Sequence, residues 1–427
     1  MYRGTDIREL VQENHVRFLR LQFTDIFGRF KNIAVPVTEL ERVLANQVAV
    51  EASVFTGQAE NHETVYLRPD TSTFILFPWR PRDGAVARMI CNGYKKSGER
   101  FDGCVRGVLE ETTSKSASLE SSLSVGAAID FFLFHVDERG KPMLKPQDCA
   151  GLCDLSPLDL GENARRDMVN TLDEMGIEVA FSHHGGAPGQ NRIYLKSDTA
   201  SAMADKIVTF KFVIGAVAQR HGLYASFIPK PFKEYPGAGM SLYLALMKEN
   251  RNIFAGDGDA LGLSPTAYGF VAGLLEHAGA LTAVCCPSVM SYKRLSSDAR
   301  LPVLAGLSVD THTTMLNTAP SGDEPTIECW IPDATCNPYL AISAILATGM
   351  QGIAGTAGPP ASVVNGIGTG AALPRHLGEA LDVLKTDARV QEAMGDFIYK
   401  LYLQGKEKEW NDFLQEIHPW EVERYLP

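Results

Sequence analysis

Between residues 15 and 36 the stretch HVRFLRLQFTDIFGRFKNIAVP alternates apolar and polar positions, interrupted at Phe27-Gly28-Arg29. That period predicts two half-buried strands joined by a turn, a β-hairpin. VTELERVLANQ (37–47) has helical spacing, and residues 65–94 return to short strands broken by Pro, Asp and Gly. Residues 1–100 therefore read as a small α+β module.

From 101 to 427 longer elements alternate. VRGVLEETTSKSASL reads as a helix, SVGAAIDFFLFHV as a strand, and ENARRDMVNTLDEMG as an amphipathic helix stopped at Gly176. IEVAFSHH, YASFIPKP and GMSLYLALM are predicted strands, while ADKIVTFKFVIGAVAQRHG and SPTAYGFVAGLLEHAGALTAVCC are predicted single helices. NPYLAISAILATGMQGIAG and the run from His376 to Ile417 close the chain with more helices, after an exposed Gly/Ala/Pro-rich loop over 354–374. The class is α+β, a mostly antiparallel sheet with helices.

Composition narrows the functional classes. The chain has 427 residues, 45% hydrophobic and 21% charged, with a net charge of -11. That balance suits a globular protein and argues against nucleic acid, which selects clustered Lys and Arg. No apolar run reaches bilayer length and the N-terminus lacks a signal-like segment, so the expectation is a cytoplasmic protein without membrane contact. None of the eight cysteines forms a CxxC pair, which points to reduced, mostly buried thiols. Cys149 and Cys153 have a spacing compatible with a metal or redox pair, though a plain loop or helix turn is the simpler reading.

Two segments carry the most information: SHHGGAPGQNRI (182–193) and ASFIPKPFKEYPGAGMSLYLAL (225–246). Together with VRFLRLQFTDIFGRFKNIAVP, YLRPDTSTFILFPWRP, DFFLFHVDERGKP, DLGENARRDMVNTLDEMG, AGLLEHAGALTA, SYKRL and PDATCNPYLA, they resemble bacterial-type glutamine synthetases over nearly the whole chain. The resemblance implies a β-grasp-like N-terminal domain (1–100) and a C-terminal catalytic domain (101–427) whose antiparallel strands line a funnel. It also implies homo-oligomeric rings, usually two stacked hexamers, with each active site completed by a neighbour's N-terminal domain.

Residue by residue, the implied chemistry is altered. In the family, carboxylates and a histidine hold Mg²⁺ or Mn²⁺ against ATP. The corresponding positions here are Asp130, Gly185 and Arg192 for one cation and Ala128, Ser241 and Glu328 for the other; only Asp130 and Glu328 keep a carboxylate. Arg300 stands at the place of the glutamate that closes over substrate, and His312 and Asn317 at the places of two arginines. Trp330 replaces a further arginine, Glu51 the ammonium-binding aspartate, and Pro236 an asparagine. His183, His184, Gln190, Gly237, Gly239 and Arg294 survive.

These changes lead to the expectation of no cofactor, with no metal and with Mg²⁺, Mn²⁺ and ATP binding in question. Candidate proton carriers are His183, His184, His312, Glu51 and Asp130. Gln190, Arg192, Gly237, Ser241, Arg294, Arg300 and Trp330 would line a pocket for a small anionic metabolite. The competing structural readings are ion pairs of Asp130 and Glu328 with Arg192 and Arg300, histidines retained by descent, a structural Arg294, and glycines kept for close packing. Three functions stay open: a ring-forming pseudoenzyme or metal-independent carboxylate binder, an enzyme with new acid/base chemistry (hydrolase, lyase or transferase), and an ATP-dependent carboxylate–amine ligase with altered substrate.

Overall fold

The computed structural model describes residues 6–426 apart from 81–82, 117–119, 257–260, 298–303, 310–313, 319–324 and 356–370. The N-terminal sheet contains β1 (Val16–Thr24), β2 (Phe30–Pro36), β3 (Val48–Glu51), β4 (Thr64–Leu76) and β5 (Ala85–Tyr94), in the order β2-β1-β5-β4-β3. β1 and β2 are the hairpin expected from the alternation, and β1 also lies parallel to β5. Leu19, Leu21, Leu67, Ala87 and Met89 fill its core from alternate strand positions. Where a helix was expected over 37–47, a 3-10 turn (Val37–Glu39) leads into a short helix (Leu40–Leu44).

The larger sheet contains β6 (Ser122–Val136), β7 (Pro142–Pro146), β8 (Val179–His184), β9 (Gln190–Thr199), β10 (Leu223–Ser226), β11 (Met240–Lys248), β12 (Arg251–Asn252), β13 (Leu307–Val309), β14 (Leu316–Thr318) and β15 (Ile327–Cys329). Its main path runs β13-β14-β15-β11-β6-β9-β8, with β7 and β10 on the far end of β6 and β12 on β11. All these pairings are antiparallel except β13 with β14. YASFIPKP is a strand only to Ser226, because Pro229 and Pro231 have no N–H to extend a ladder.

Helices Ala200–Arg220 and Pro338–Ala354 cover the apolar face of this sheet. The single helix expected over 264–286 is two, Pro265–Glu276 and Ala278–Cys285, bent by 75°. The break falls at His277, whose ring meets Asp387 Oδ2 at 2.7 Å. Among the described residues no single helix is long and apolar enough to cross a membrane. Most of the Gly/Ala/Pro-rich loop, residues 356–370, lies outside the described residues.

The two sheets are joined by polar contacts. Arg106 binds Asp205 and Asp70 through Nη2 at 2.9 and 2.7 Å, and Glu110 through Nη1 at 2.8 Å. The β1–β2 turn contains Gly28 at φ +80°, and a Cβ there would sit 2.9 Å from Asn337 Cα. Asn337 accepts from Tyr339 N at 3.1 Å to cap helix Pro338–Ala354, and donates to the carbonyls of Asp25 and Ile26 at 3.0 and 3.3 Å.

Candidate functional site

Register decides which side chains can meet. β6 places Asp130 opposite Arg192 of β9 and Ala128 opposite Ser241 of β11; β8 places His183 opposite the same Arg192. On β11, Tyr243 faces Glu328 of β15. Opposed residues share a face, so Asp130, His183, Arg192, Ser241, Tyr243 and Glu328 form one polar wall. Ile129, Ile193, Leu242 and Ile327, one step along each strand, turn into the core.

Arg192 organises that wall. Its Nη1 donates to both oxygens of Asp130 at 3.4 and 3.3 Å and its Nη2 to Ser241 Oγ at 2.8 Å. Asp130 Oδ2 also accepts from Gly239 N at 3.0 Å. Tyr194 and Trp330 lie against the guanidinium, at 5.2 and 5.7 Å from ring centroid to Cζ. Burial pushes the Arg192 guanidinium down, but the charge of Asp130, with smaller contributions from Tyr194, Tyr243 and Glu328, together outweighs it, so the group stays cationic above its ordinary range. Burial, then the charge and hydrogen bond of Glu328, pushes the Tyr243 phenol up. Glu328 Oε1 and Arg192 Nε are buried without a hydrogen-bond partner.

The remaining expected site residues divide. His183 is half-buried, sends Nδ1 to the His184 carbonyl at 2.8 Å and lies beside Phe181 and Tyr194. Gln190 is buried, accepting from Ala187 N and donating to the Gly237 carbonyl, each at 3.0 Å. Its chain also explains Gly185: a Cβ there would fall 2.5 Å from Gln190 Cγ. Arg294 is 1% exposed and donates to the Ile331 carbonyl at 2.6 Å. Gly237 and Gly239 give it room, since Cβ atoms there would fall 2.9 Å from its Cγ and 3.0 Å from its Nη1. Glu51 ends β3 exposed beside His62 and Ser53, so within one chain it does not join the wall. Arg300 and His312 lie outside the described residues.

His184 belongs to the opposite face from His183. It is fully buried, with Nε2 3.1 Å from Asp148 Oδ1 and Nδ1 2.9 Å from the carbonyls of Gly151 and Gly185. Burial pushes this imidazole down, but the hydrogen bonds to Asp148 and the Gly185 carbonyl, with the charges of Asp148 and Asp159, together leave it raised. Ligand atoms of Asp148, Asp159 and His184 all lie within 4.8 Å of one another, close enough to hold a metal ion. The sequence had flagged His184 but neither aspartate, which sit in a loop with no ligand-like spacing; only the chain fold brings them together.

A model of the glutamine synthetase β-grasp domain matches residues 15–96, and one of the glutamine synthetase catalytic domain matches residues 102–425. A glutamine synthetase of Clostridium saccharobutylicum is 42% identical over 440 residues, covering 100% of this chain and 99% of the relative. One from Staphylococcus aureus (strain MRSA252) is 38% identical over 434 residues, covering 99% and 97%. Among solved structures, a GmaS/ADP complex aligns with a TM-score of 0.89 at 28% identity, and Plasmodium falciparum glutamine synthetase with 0.88 at 20%; each match covers 99% of both chains. The latter supports the fold alone.

The expectation of a chain without cofactors is corrected by these findings. The matched relatives are glutamine synthetases, enzymes that depend on ATP and Mg²⁺ or Mn²⁺, and the Asp148–Asp159–His184 cluster offers a metal donor set. At the strand-borne positions the fit is different. Ala128 and Gly185 offer no donor atom, and the Arg192 guanidinium already occupies the space between Asp130 and Ser241.

Proposed function

Since the chain belongs to the glutamine synthetase family, we propose that it keeps the family's funnel as a binding site for a small carboxylate and has lost the formation of glutamine from glutamate and ammonia. The observation that carries this reading is the Arg192 bridge from Asp130 to Ser241. A guanidinium has five N–H donors. Those left over beyond Asp130 and Ser241 form part of a planar fork suited to a carboxylate. Trp330, His183 and Tyr194 stand half-buried around it and would shape the ligand's other end. The subunits would assemble as a homo-oligomer, in stacked hexameric rings, with exposed Glu51 offered to a neighbour's funnel. We place the protein in the cytoplasm.

A second reading is favoured by the relatives and by the likeness to a GmaS/ADP complex: an ATP-dependent carboxylate–amine ligase with altered substrates. One experiment separates the two. Purified protein is incubated with MnATP or MgATP, glutamate and ammonia, then with a panel of other carboxylates and amines, and phosphate and amide product are measured. No glutamine, together with a carboxylate that raises the melting temperature of the wild type but not of Arg192→Met, is the result expected. Steady glutamine formation abolished by EDTA would overturn the proposal, and amide formation from another pair would establish the second reading.

A further inference from the structure

We infer that Gln147, Asp148, Asp159, His184 and Asn191 form a binding site for one divalent cation, on the reverse of the strand edge that carries Arg192. His184 and Asn191 are opposed on β8 and β9, one residue beyond the His183–Arg192 pair, and so project from the other face. The loop between β7 and the helix Glu162–Glu174 brings Gln147, Asp148 and Asp159 over them.

Two features point to a cation rather than a closed salt-bridge network. Two buried oxygens have no hydrogen-bond donor, Asp148 Oδ2 and Gln147 Oε1, and the Asp148 side chain is 1% exposed. Gln147 Oε1, Asp159 Oδ1 and Asn191 Oδ1 all approach one point, lying 3.3, 3.3 and 3.4 Å from where a Cβ on Gly161 would be. The second feature is the histidine. Nδ1 is held by the carbonyls of Gly151 and Gly185, which leaves Nε2, 3.1 Å from Asp148 Oδ1, as the ring nitrogen turned toward the carboxylates. A metal-ligating imidazole commonly has this arrangement, with its other nitrogen held by a backbone carbonyl.

Arg165 already answers part of the acidic charge. It donates to Asp159 Oδ2 and Asn191 Oδ1, each at 2.6 Å. Asp159 Oδ1 then has only the Gly161 N–H at 2.9 Å, and Asp148 Oδ1 the Gly189 N–H at 2.8 Å beside His184. Two carboxylates, amide oxygens and one imidazole suit a hard to borderline ion such as Mn²⁺.

The test is calorimetric and electron-paramagnetic-resonance titration of the metal-free full-length protein with Mn²⁺. One saturable equivalent is expected, unchanged in Asp130→Asn and weakened at least tenfold in Asp148→Asn, with circular dichroism checking that each variant is folded. Gln147→Glu adds a carboxylate and is expected to tighten Mn²⁺ binding, which a purely structural glutamine would not do. If Asp148→Asn does not fold, that variant decides the matter. The inference is overturned by equal binding in wild type and folded Asp148→Asn, by loss of binding in Asp130→Asn alone, by no tightening in Gln147→Glu, or by no Mn²⁺ uptake below about 1 mM, the weak end for protein sites.

Discussion

Replacing Arg192 with Met removes a cation and leaves Asp130 buried with the Gly239 N–H as its hydrogen-bond donor. At the observed 3.3 Å an effective dielectric of about 20 gives an attraction on the order of 5 kcal/mol, before desolvation is subtracted. Breaking a buried pair by removing one partner costs about 3–5 kcal/mol, because the remaining charge is uncompensated. The geometry here is loose, so about 3 kcal/mol is the expected loss. The informative comparison is the double variant Arg192→Met/Asp130→Asn, which removes the stranded charge and should recover at least ~1 kcal/mol relative to Arg192→Met. Urea unfolding at fixed protein concentration, compared across the four proteins, measures the difference. If Arg192→Met is as stable as wild type, or the double variant is no more stable than Arg192→Met, the guanidinium is not holding the charge of Asp130 and the reading of this wall fails.

Further expectations follow from neighbouring contacts. Gly185→Glu should destabilise by about 1–3 kcal/mol through overpacking against Gln190, and Gln190→Ala in the same chain should recover part of this, both read from urea midpoints. Burial pushes Asp70 up, but hydrogen bonds from Ser72 and Arg106, with the charge of Arg106, together pull it below the usual aspartate value. Its stabilising contribution is therefore present above the unfolded value and is lost as pH falls through the lower folded one, so acid unfolding should be shallower below about pH 4 in Asp70→Asn. Of the eight cysteines only Cys149 and Cys153 are exposed, and burial pushes Cys286 and Cys329 up to about 12. A thiol reagent should accordingly titrate two fast equivalents in the native protein and the rest only on unfolding; more than two fast equivalents would contradict the described burial.

Strand periodicity makes much of this fold legible in the sequence. The β1–β2 hairpin, the long β6 and the placement of Asp130 and Ser241 along strands were legible because alternation and family spacing both mark them, whereas β9, which carries Arg192, was not among the expected strands. The helix break at His277 was not, since AGLLEHAGALTA has no proline to mark a stop and the His277 ring is held by a distant partner, Asp387. Nor could sequence show that Gln190 fills the volume over Gly185, or that Arg294 is directed to a carbonyl instead of the funnel. Asp148 and Asp159 were missed for a related reason: they lie 36 and 25 residues before His184 in a loop whose path no local pattern encodes.

The two faces of the Asn337 amide give the molecule a mechanical property. Its oxygen starts the helix Pro338–Ala354, and its NH₂ grips the Asp25 and Ile26 carbonyls in the N-terminal hairpin. A swing of the N-terminal sheet away from that helix must let go of this amide, in addition to the Arg106 bridge between Asp70 and Asp205. Aspartate would keep the cap yet lose both donors, and serine would be too short to reach across. The helix end is stabilised by about 1 kcal/mol when capped, and the same side chain ties that small local energy to the angle between the N-terminal hairpin and the helix.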